Sequence, residues 1–192
     1  MAEPALRRMT LDDFLAWEDG TDTRYELISG FVVAMAPPAR AHGILAARVV
    51  ARLDAGLAAR RPGVAQSEAG IVRPDRADYF FVADIAVSCT PFDPRAQIVD
   101  DPILIVEVLS PSTERHDRRI KLPAYRAIPS VQEILVVGSD GQYAELHRRS
   151  GAQWITELYR APEETIALAS IDGEILMSEL YDGISFDGDF AS

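Results

Sequence analysis

Residues 80–88 read Phe-Phe-Val-Ala-Asp-Ile-Ala-Val-Ser and residues 103–109 read Ile-Leu-Ile-Val-Glu-Val-Leu, two apolar runs that each hold one acid, Asp84 and Glu107. Runs of this length, rich in β-branched and aromatic residues, predict strands buried on both faces. A carboxylate without a partner is costly to bury there, so both acids need compensation. A divalent cation supplies it, and carboxylates with a backbone carbonyl and water are donors that magnesium or manganese prefers. The short connection between the runs favours neighbouring strands, on which the two acids can face one another. A position at a strand end, or a partner arginine, would meet the same need without a metal.

Working outward, Ser110-Pro111-Ser112-Thr113 breaks the second strand and offers hydroxyl caps and an early proline for a helix running to about Ile128. Asp117, Lys121 and Tyr125 are spaced four apart and share one face of that helix. Pro123 cannot donate to the carbonyl of Arg119 and predicts a kink. Lys121 is the sole lysine among 19 basic residues, the others being arginine. Its survival suggests a site that needs a compact ammonium rather than a planar guanidinium; the competing reading is a surface ion pair with Asp117 worth less than about 1 kcal/mol.

Upstream, Thr10 followed by Asp13 predicts a capped helix that buries Leu11, Phe14, Leu15 and Trp17. Arg24 to Ile28 and Phe31 to Met35 flank Ser29-Gly30, a two-residue hairpin turn. Ala39 to Arg60 is alanine-rich, with Ile44, Leu45, Val49, Leu53 and Leu57 at helical spacing before Pro62-Gly63. Val64 to Val72 reads as a strand. Downstream, Gln132 to Val137, Tyr143 to Arg149 and Trp154 to Tyr159 form a C-terminal meander with a turn at Asp140-Gly141, and Ile175 to Leu180 is a further strand or helix. The order predicts an α/β (α+β) fold in which one mixed sheet is flanked by helices.

The 192 residues, 48% hydrophobic, suit one domain spanning 1–192. No apolar stretch approaches a membrane span, residues 1–8 lack the apolar run of a targeting signal, and the lone Cys89 cannot close an internal disulfide. A cytoplasmic protein without a membrane partner follows, with any metal held by oxygen and perhaps histidine donors. The net charge of −11 opposes nucleic-acid binding. Many of the acids lie outside the middle of the chain, as in the tail from Glu163 to Asp189, whereas Arg115, Arg118, Arg119, Lys121 and Arg126 offer a basic strip.

The runs Tyr25-Glu26-Leu27-Ile28-Ser29-Gly30, Ala83-Asp84-Ile85-Ala86-Val87 and Val106-Glu107-Val108-Leu109-Ser110-Pro111-Ser112-Thr113, followed by Asp117-Arg118, Lys121 and Tyr125, resemble the Uma-type family of bacterial endonuclease-like proteins. That family belongs to the PD-(D/E)XK nuclease superfamily, and the resemblance covers about residues 10–180. It implies a restriction-endonuclease-like sheet, with Asp84, Glu107 and the Val108 carbonyl as ligands of one or two Mg2+ (or Mn2+) ions. It also implies Lys121 as the catalytic lysine and Glu26 as a fourth member of the site. Ala83 stands where the superfamily motif usually has proline, and Leu109 stands where it has lysine, a role that passes to Lys121. The implied activity is phosphodiester hydrolysis of DNA by a homodimer, with Lys121 positioning water and opposing developing negative charge.

Elsewhere, His42 opens the long helix and reads as solvent-exposed before it reads as a phosphate or metal contact. His116 and His147 offer no case for function. Ser110, Ser112 and Thr113 lack a base partner and read as caps, and Trp17 and Trp154 read as core or interface. Two alternatives compete with the nuclease. A non-catalytic nuclease-fold module for a protein or nucleic acid partner suits the acidic surface, while a glycosidase would need aromatic sugar platforms that 8% aromatic content hardly supplies.

Overall fold

The computed structural model describes residues 8–58 and 63–186. The N-terminal residues 1–7, the helix-stopping Pro62 and the acidic Asp187 and Asp189 of the tail lie outside the described residues.

The two acid-bearing runs are neighbouring strands. β4 (Phe81–Ser88) and β5 (Pro102–Leu109) pair antiparallel inside a six-stranded sheet of order β3-β4-β5-β6-β7-β8, completed by β3 (Val64–Ile71), β6 (Glu133–Gly138), β7 (Ala144–Ser150) and β8 (Gln153–Tyr159). Every neighbouring pair is antiparallel except β5–β6, whose parallel register Glu107↔Val136 requires a crossover. The helical segment after Thr113 is that crossover: α3 (Glu114–His116), a π-helical stretch (Asp117–Lys121) and α4 (Leu122–Arg126).

Each face of the sheet is sealed by one apolar stripe. α2 (Arg40–Leu57) buries Leu45, Val49, Leu53 and Leu57, one per turn, against Ile85, Val87, Val106 and Val108. The other face packs Leu122, Ala124, Tyr125 and Ile128 on Ile105, Leu109, Ile134 and Val136. β1 (Tyr25–Ile28) and β2 (Phe31–Ala34) form the expected hairpin, with positive φ at both Ser29 and Gly30. It docks on the start of β4 through reciprocal 2.9 Å backbone bonds between Leu27 and Phe80. α1 (Leu11–Leu15) begins in the predicted capping box, with Thr10 and Asp13 exchanging two 3.1 Å bonds.

Three details differ from expectation. The Ser110, Ser112 and Thr113 hydroxyls bond one another instead of capping the helix, which has no side-chain cap at Thr113. The kink at Pro123 takes the form of a wider helical turn just before it, in which the Leu122 amide reaches back to the Asp117 carbonyl. The tail contains a hairpin, β9 (Thr165–Leu168) with β10 (Gly173–Leu176), followed by α5 (Met177–Leu180); the sequence marked only its second half.

That tail is anchored by a buried acid. Glu133 is 1% exposed and accepts from the Ala169 and Ser170 amides at 3.1 and 2.9 Å and from the Ser170 hydroxyl at 2.6 Å. Glu133→Ala removes the acceptor from at least two of these donors and is expected to cost about 3 kcal/mol in urea denaturation, with partial recovery in Glu133→Gln. A loss below about 1 kcal/mol would show the anchor to be dispensable.

Candidate active site

The site forms where the β4–β5 ladder opens. Their last paired residues on this side are Ile85 and Val106, so Asp84 and Glu107 occupy the next positions, just past the closed part of the ladder. There the Asp84 carboxylate, rather than a main-chain carbonyl, takes the Val108 amide at 2.7 Å. The same Oδ2 lies 3.1 Å from His42 Nε2, at the start of α2. Asp84, Glu107 and Val108 line a cleft of about 1440 Å³ together with His42, Asp117 and Lys121.

Lys121 is 5% exposed and sits inside a ring of acids. Its Nζ lies 3.0 Å from Glu26, 3.4 Å from Glu107 and 3.6 Å from Asp117, and donates to the Val82 carbonyl at 2.9 Å. Glu26 reaches the ring because the hairpin docks on β4, where the Val82 amide donates to Glu26 Oε1 at 2.9 Å. Its other oxygen lies 3.4 Å from His116 Nε2. Tyr125, one turn beyond Lys121, donates its hydroxyl to Glu107 at 2.5 Å. Glu26, Asp84, Glu107 and Lys121 thus converge, and His42, His116, Asp117 and Tyr125 join them. His42 is held to Asp84 with its side chain only 16% exposed, which corrects the solvent-exposed reading. His116 carried no sequence signal, because its partner Glu26 lies 90 residues away in the chain.

The electrostatics of the ring are uneven. Burial raises Glu107 well above the usual carboxylate range, and the charges of Asp84 and Asp117 add to it against Lys121 and Tyr125. Burial raises Asp117 also, opposed chiefly by Lys121. Burial pushes Glu26 upward as well, but His116, Lys121 and the Val82 amide outweigh it and hold that acid below its ordinary value. Burial disfavours the Lys121 ammonium, yet Glu107, Glu26, Asp117 and Asp84 more than reverse this and raise its pKa. Lys121 therefore stays protonated, a positive charge fixed among the acids.

Glu26, Glu107 and Asp117 share one ammonium, and burial, with the charges of Asp84 and Asp117 added to it, holds Glu107 toward its neutral form. Added positive charge at the cleft side of Asp84 and Glu107 would relieve this, so the donor set fits a hard divalent cation. Among the described residues no three His, Cys, Asp or Glu side chains already converge at metal-ligand spacing. A magnesium ion, which usually binds through one or two carboxylates and keeps several waters, does not require three.

The hydrogen bond to Asp84 is the main influence that raises His42 above its usual 6.5, and burial opposes it. A histidine raised in the folded state stabilises the fold fully below the unfolded value of about 6.5 and ceases to do so as pH rises through the folded value. In chelator, the His42 ring resonances are expected to titrate above pH 6.5 in the wild type and to shift downward in Asp84→Asn. A midpoint unmoved by that substitution would break the assigned pair.

The predicted basic strip does not stand as a row of free surface cations. Lys121 is buried, Arg118 is bound to Glu114 at 2.7 Å and Glu145 at 2.6 Å, and Arg126 packs near the Trp154 ring. Only Arg115 and Arg119 of that group are exposed.

Comparison with known proteins agrees with this architecture. A crystal structure from Anabaena variabilis, described as a "putative nuclease", superposes with a TM-score of 0.71 over 90% of this chain and 97% of its own at 21% identity, a likeness of fold. Two uncharacterized proteins of Synechocystis sp. are similar in sequence. One is 28% identical over 93% of this chain and 94% of its own, the other 27% identical over 78% and 87%. The profile of the Uma2 family, described as "Putative restriction endonuclease", matches residues 11–176, from the first helix to the end of β10. With the match spanning the sheet, the docked hairpin and the whole acid–lysine ring, the chain belongs to the Uma2 family.

Proposed function

We propose that the protein is a metal-dependent endonuclease that hydrolyses phosphodiester bonds of DNA at the ring formed by Asp84, Glu107, Glu26 and Lys121. The observation that carries this reading is a protonated lysine buried among acids on the wall of a large open cleft. A purely structural ion-pair cluster has no need to face a cleft, as the enclosed Glu133 illustrates. Restriction-endonuclease-like nucleases generally use divalent metals. Asp84, Glu107 and the Val108 carbonyl would hold Mg2+ or Mn2+, which supplies Lewis-acid polarisation at the phosphate and a more acidic water.

The remaining work belongs to the chain. Lys121 presents a fixed charge toward the non-bridging phosphate oxygens, where negative charge grows in the transition state. Glu26 and Asp117 hold Lys121 in place and keep it charged, and Tyr125 orients Glu107. The Val108 amide and His42 fix the rotamer of Asp84, so the carboxylate needs little reorganisation when the site loads. Free Cys89 supports a reducing, cytoplasmic setting, and among the described residues no helix is long and apolar enough to cross a membrane. Two core clusters on opposite faces of one sheet support a single domain. β8 pairs on one side only and exposes Ile155 and Leu158, which supports the homodimer.

Calorimetric titration with Mg2+ and Mn2+ tests the proposal against a non-catalytic module of the same fold. The proposal expects binding that Asp84→Ala abolishes. Absence of binding, or binding indifferent to that substitution, would favour the module.

A further inference from the structure

Beside the cleft lies a second cavity of about 480 Å³, and the two share Thr23, Arg24, Glu68 and Val82 as a common wall. One of its other sides is aromatic, and the loop carrying Glu18, Asp19 and Thr21 forms a polar rim. Trp17 packs edge-on to Tyr25 at 5.0 Å between centroids and stacks on Phe14 at 6.5 Å, and Phe14 meets Phe80 at 5.3 Å. Phe14 and Phe80 are buried, whereas Trp17 and Tyr25 are only partly covered and keep ring surface free for a ligand. The shared wall is unusual in its backbone. Glu68 adopts φ +53°, a conformation rare for a side chain of its size, and falls opposite Asp84, between the pairs Ser67↔Ile85 and Ala69↔Ala83. That conformation interrupts the ladder, and the Glu68 carboxylate forms an ion pair with Arg24.

We propose that this side pocket receives an unpaired nucleobase of the strand whose phosphodiester enters the cleft, making the substrate nucleic acid with a single-stranded or splayed segment. The inference rests on the nuclease reading above and deepens it. Arg24, the one guanidinium lining either cavity among the described residues, contacts the flanking phosphate. Glu68, released from Arg24, accepts from the base's exocyclic amino group, as carboxylates do with cytosine. The aromatic rings supply stacking, which tolerates any base.

Charge favours this class over continuous duplex. The cleft holds Asp22, Glu68, Asp84, Glu107 and Asp117 against Arg24 and Lys121. A duplex brings one phosphate charge per ~1.7 Å of its axis, about twice the density of one strand. Part of the cleft lining, from Met35 to Ala39 with Ala46 and Val50, is apolar and suits exposed bases better than phosphates.

The test uses Trp154→Phe, in which Trp17 is the sole tryptophan and its emission reports the pocket. The protein is titrated in calcium with a short single-stranded DNA, its matched duplex, an abasic sugar-phosphate oligomer and a lysine-rich peptide. The single strand is expected to quench Trp17 with an affinity roughly tenfold or more above that of the duplex and the abasic oligomer; Glu68→Gln is expected to narrow that gap, and Arg24→Ala to weaken the base-bearing and abasic strands alike. Equal affinity for the base-bearing and abasic strands, or quenching by the peptide alone, would overturn the proposal. Plasmid cutting in magnesium is scored separately. Cutting without base-dependent quenching removes the side pocket and leaves the nuclease; base-dependent quenching without cutting supports the pocket and removes the nuclease.

Discussion

Asp84→Ala is expected to lower the rate of magnesium-dependent DNA cleavage by on the order of 10³-fold, the scale seen when one preorganised charge-stabilising group is lost. The carboxylate sits where the β4–β5 ladder opens, and two partners hold it there, the Val108 amide at 2.7 Å and His42 at 3.1 Å. Alanine removes the proposed metal donor and leaves that amide without its acceptor. Asp84→Asn keeps the shape and still offers an oxygen to the amide, but not the charge. Single-turnover cleavage should therefore fall comparably in both variants, while urea denaturation should show a smaller stability loss in the asparagine variant. Cleavage retained in Asp84→Asn would mean that Asp84 acts through its hydrogen bonds and not through its charge.

Lys121→Ala should damage both the fold and the reaction. Removing the cation from a site 5% exposed leaves Glu26, Glu107 and Asp117 without their common partner, and breaking a buried pair in this way costs about 3–5 kcal/mol. The penalty has a defined pH dependence. Glu107 and Asp117 have raised folded pKa values, so each bears an unfavourable charge above its folded value and is relieved as pH falls and it takes up a proton. The stability gap between wild type and Lys121→Ala should accordingly be widest in alkaline buffer and close toward acid, read from urea midpoints across the pH range. Cleavage should drop by on the order of 10²-fold or more. Lys121→Arg should not restore it, since a planar guanidinium does not fit a space shaped for an ammonium. A gap that widened toward acid would contradict the placement of Lys121 among ionised carboxylates.

The parts of this molecule legible in sequence were those governed by short-range pattern. Two apolar runs with one acid apiece marked β4 and β5, Thr10 and Asp13 marked a capped helix, and Ser29-Gly30 marked the hairpin turn, because each depends on residues only a few positions apart. The sole lysine stood out by composition, and the structure places it between the hairpin and the two strands. His116 was missed and His42 was ranked first as solvent-exposed because their partners, Glu26 and Asp84, come from distant elements and no local pattern couples them. Glu133, like Glu107 an acid in an apolar strand, anchors the tail, and the Ala169 and Ser170 donors that give it this role come from 36 and 37 residues downstream. The basic strip failed for the same reason, since Arg118 finds Glu145 27 residues downstream. Glu68 carried no signal at all, its positive φ being imposed at its place in the β3–β4 pairing.

The most direct test of the central claim incubates purified wild type with supercoiled and linear DNA in magnesium and in manganese, beside Glu107→Ala and Lys121→Ala. The acid–lysine ring predicts nicking and linearisation by the wild type, with both variants near background. Equal cutting by all three would trace the activity to a contaminant and contradict the assignment of these side chains.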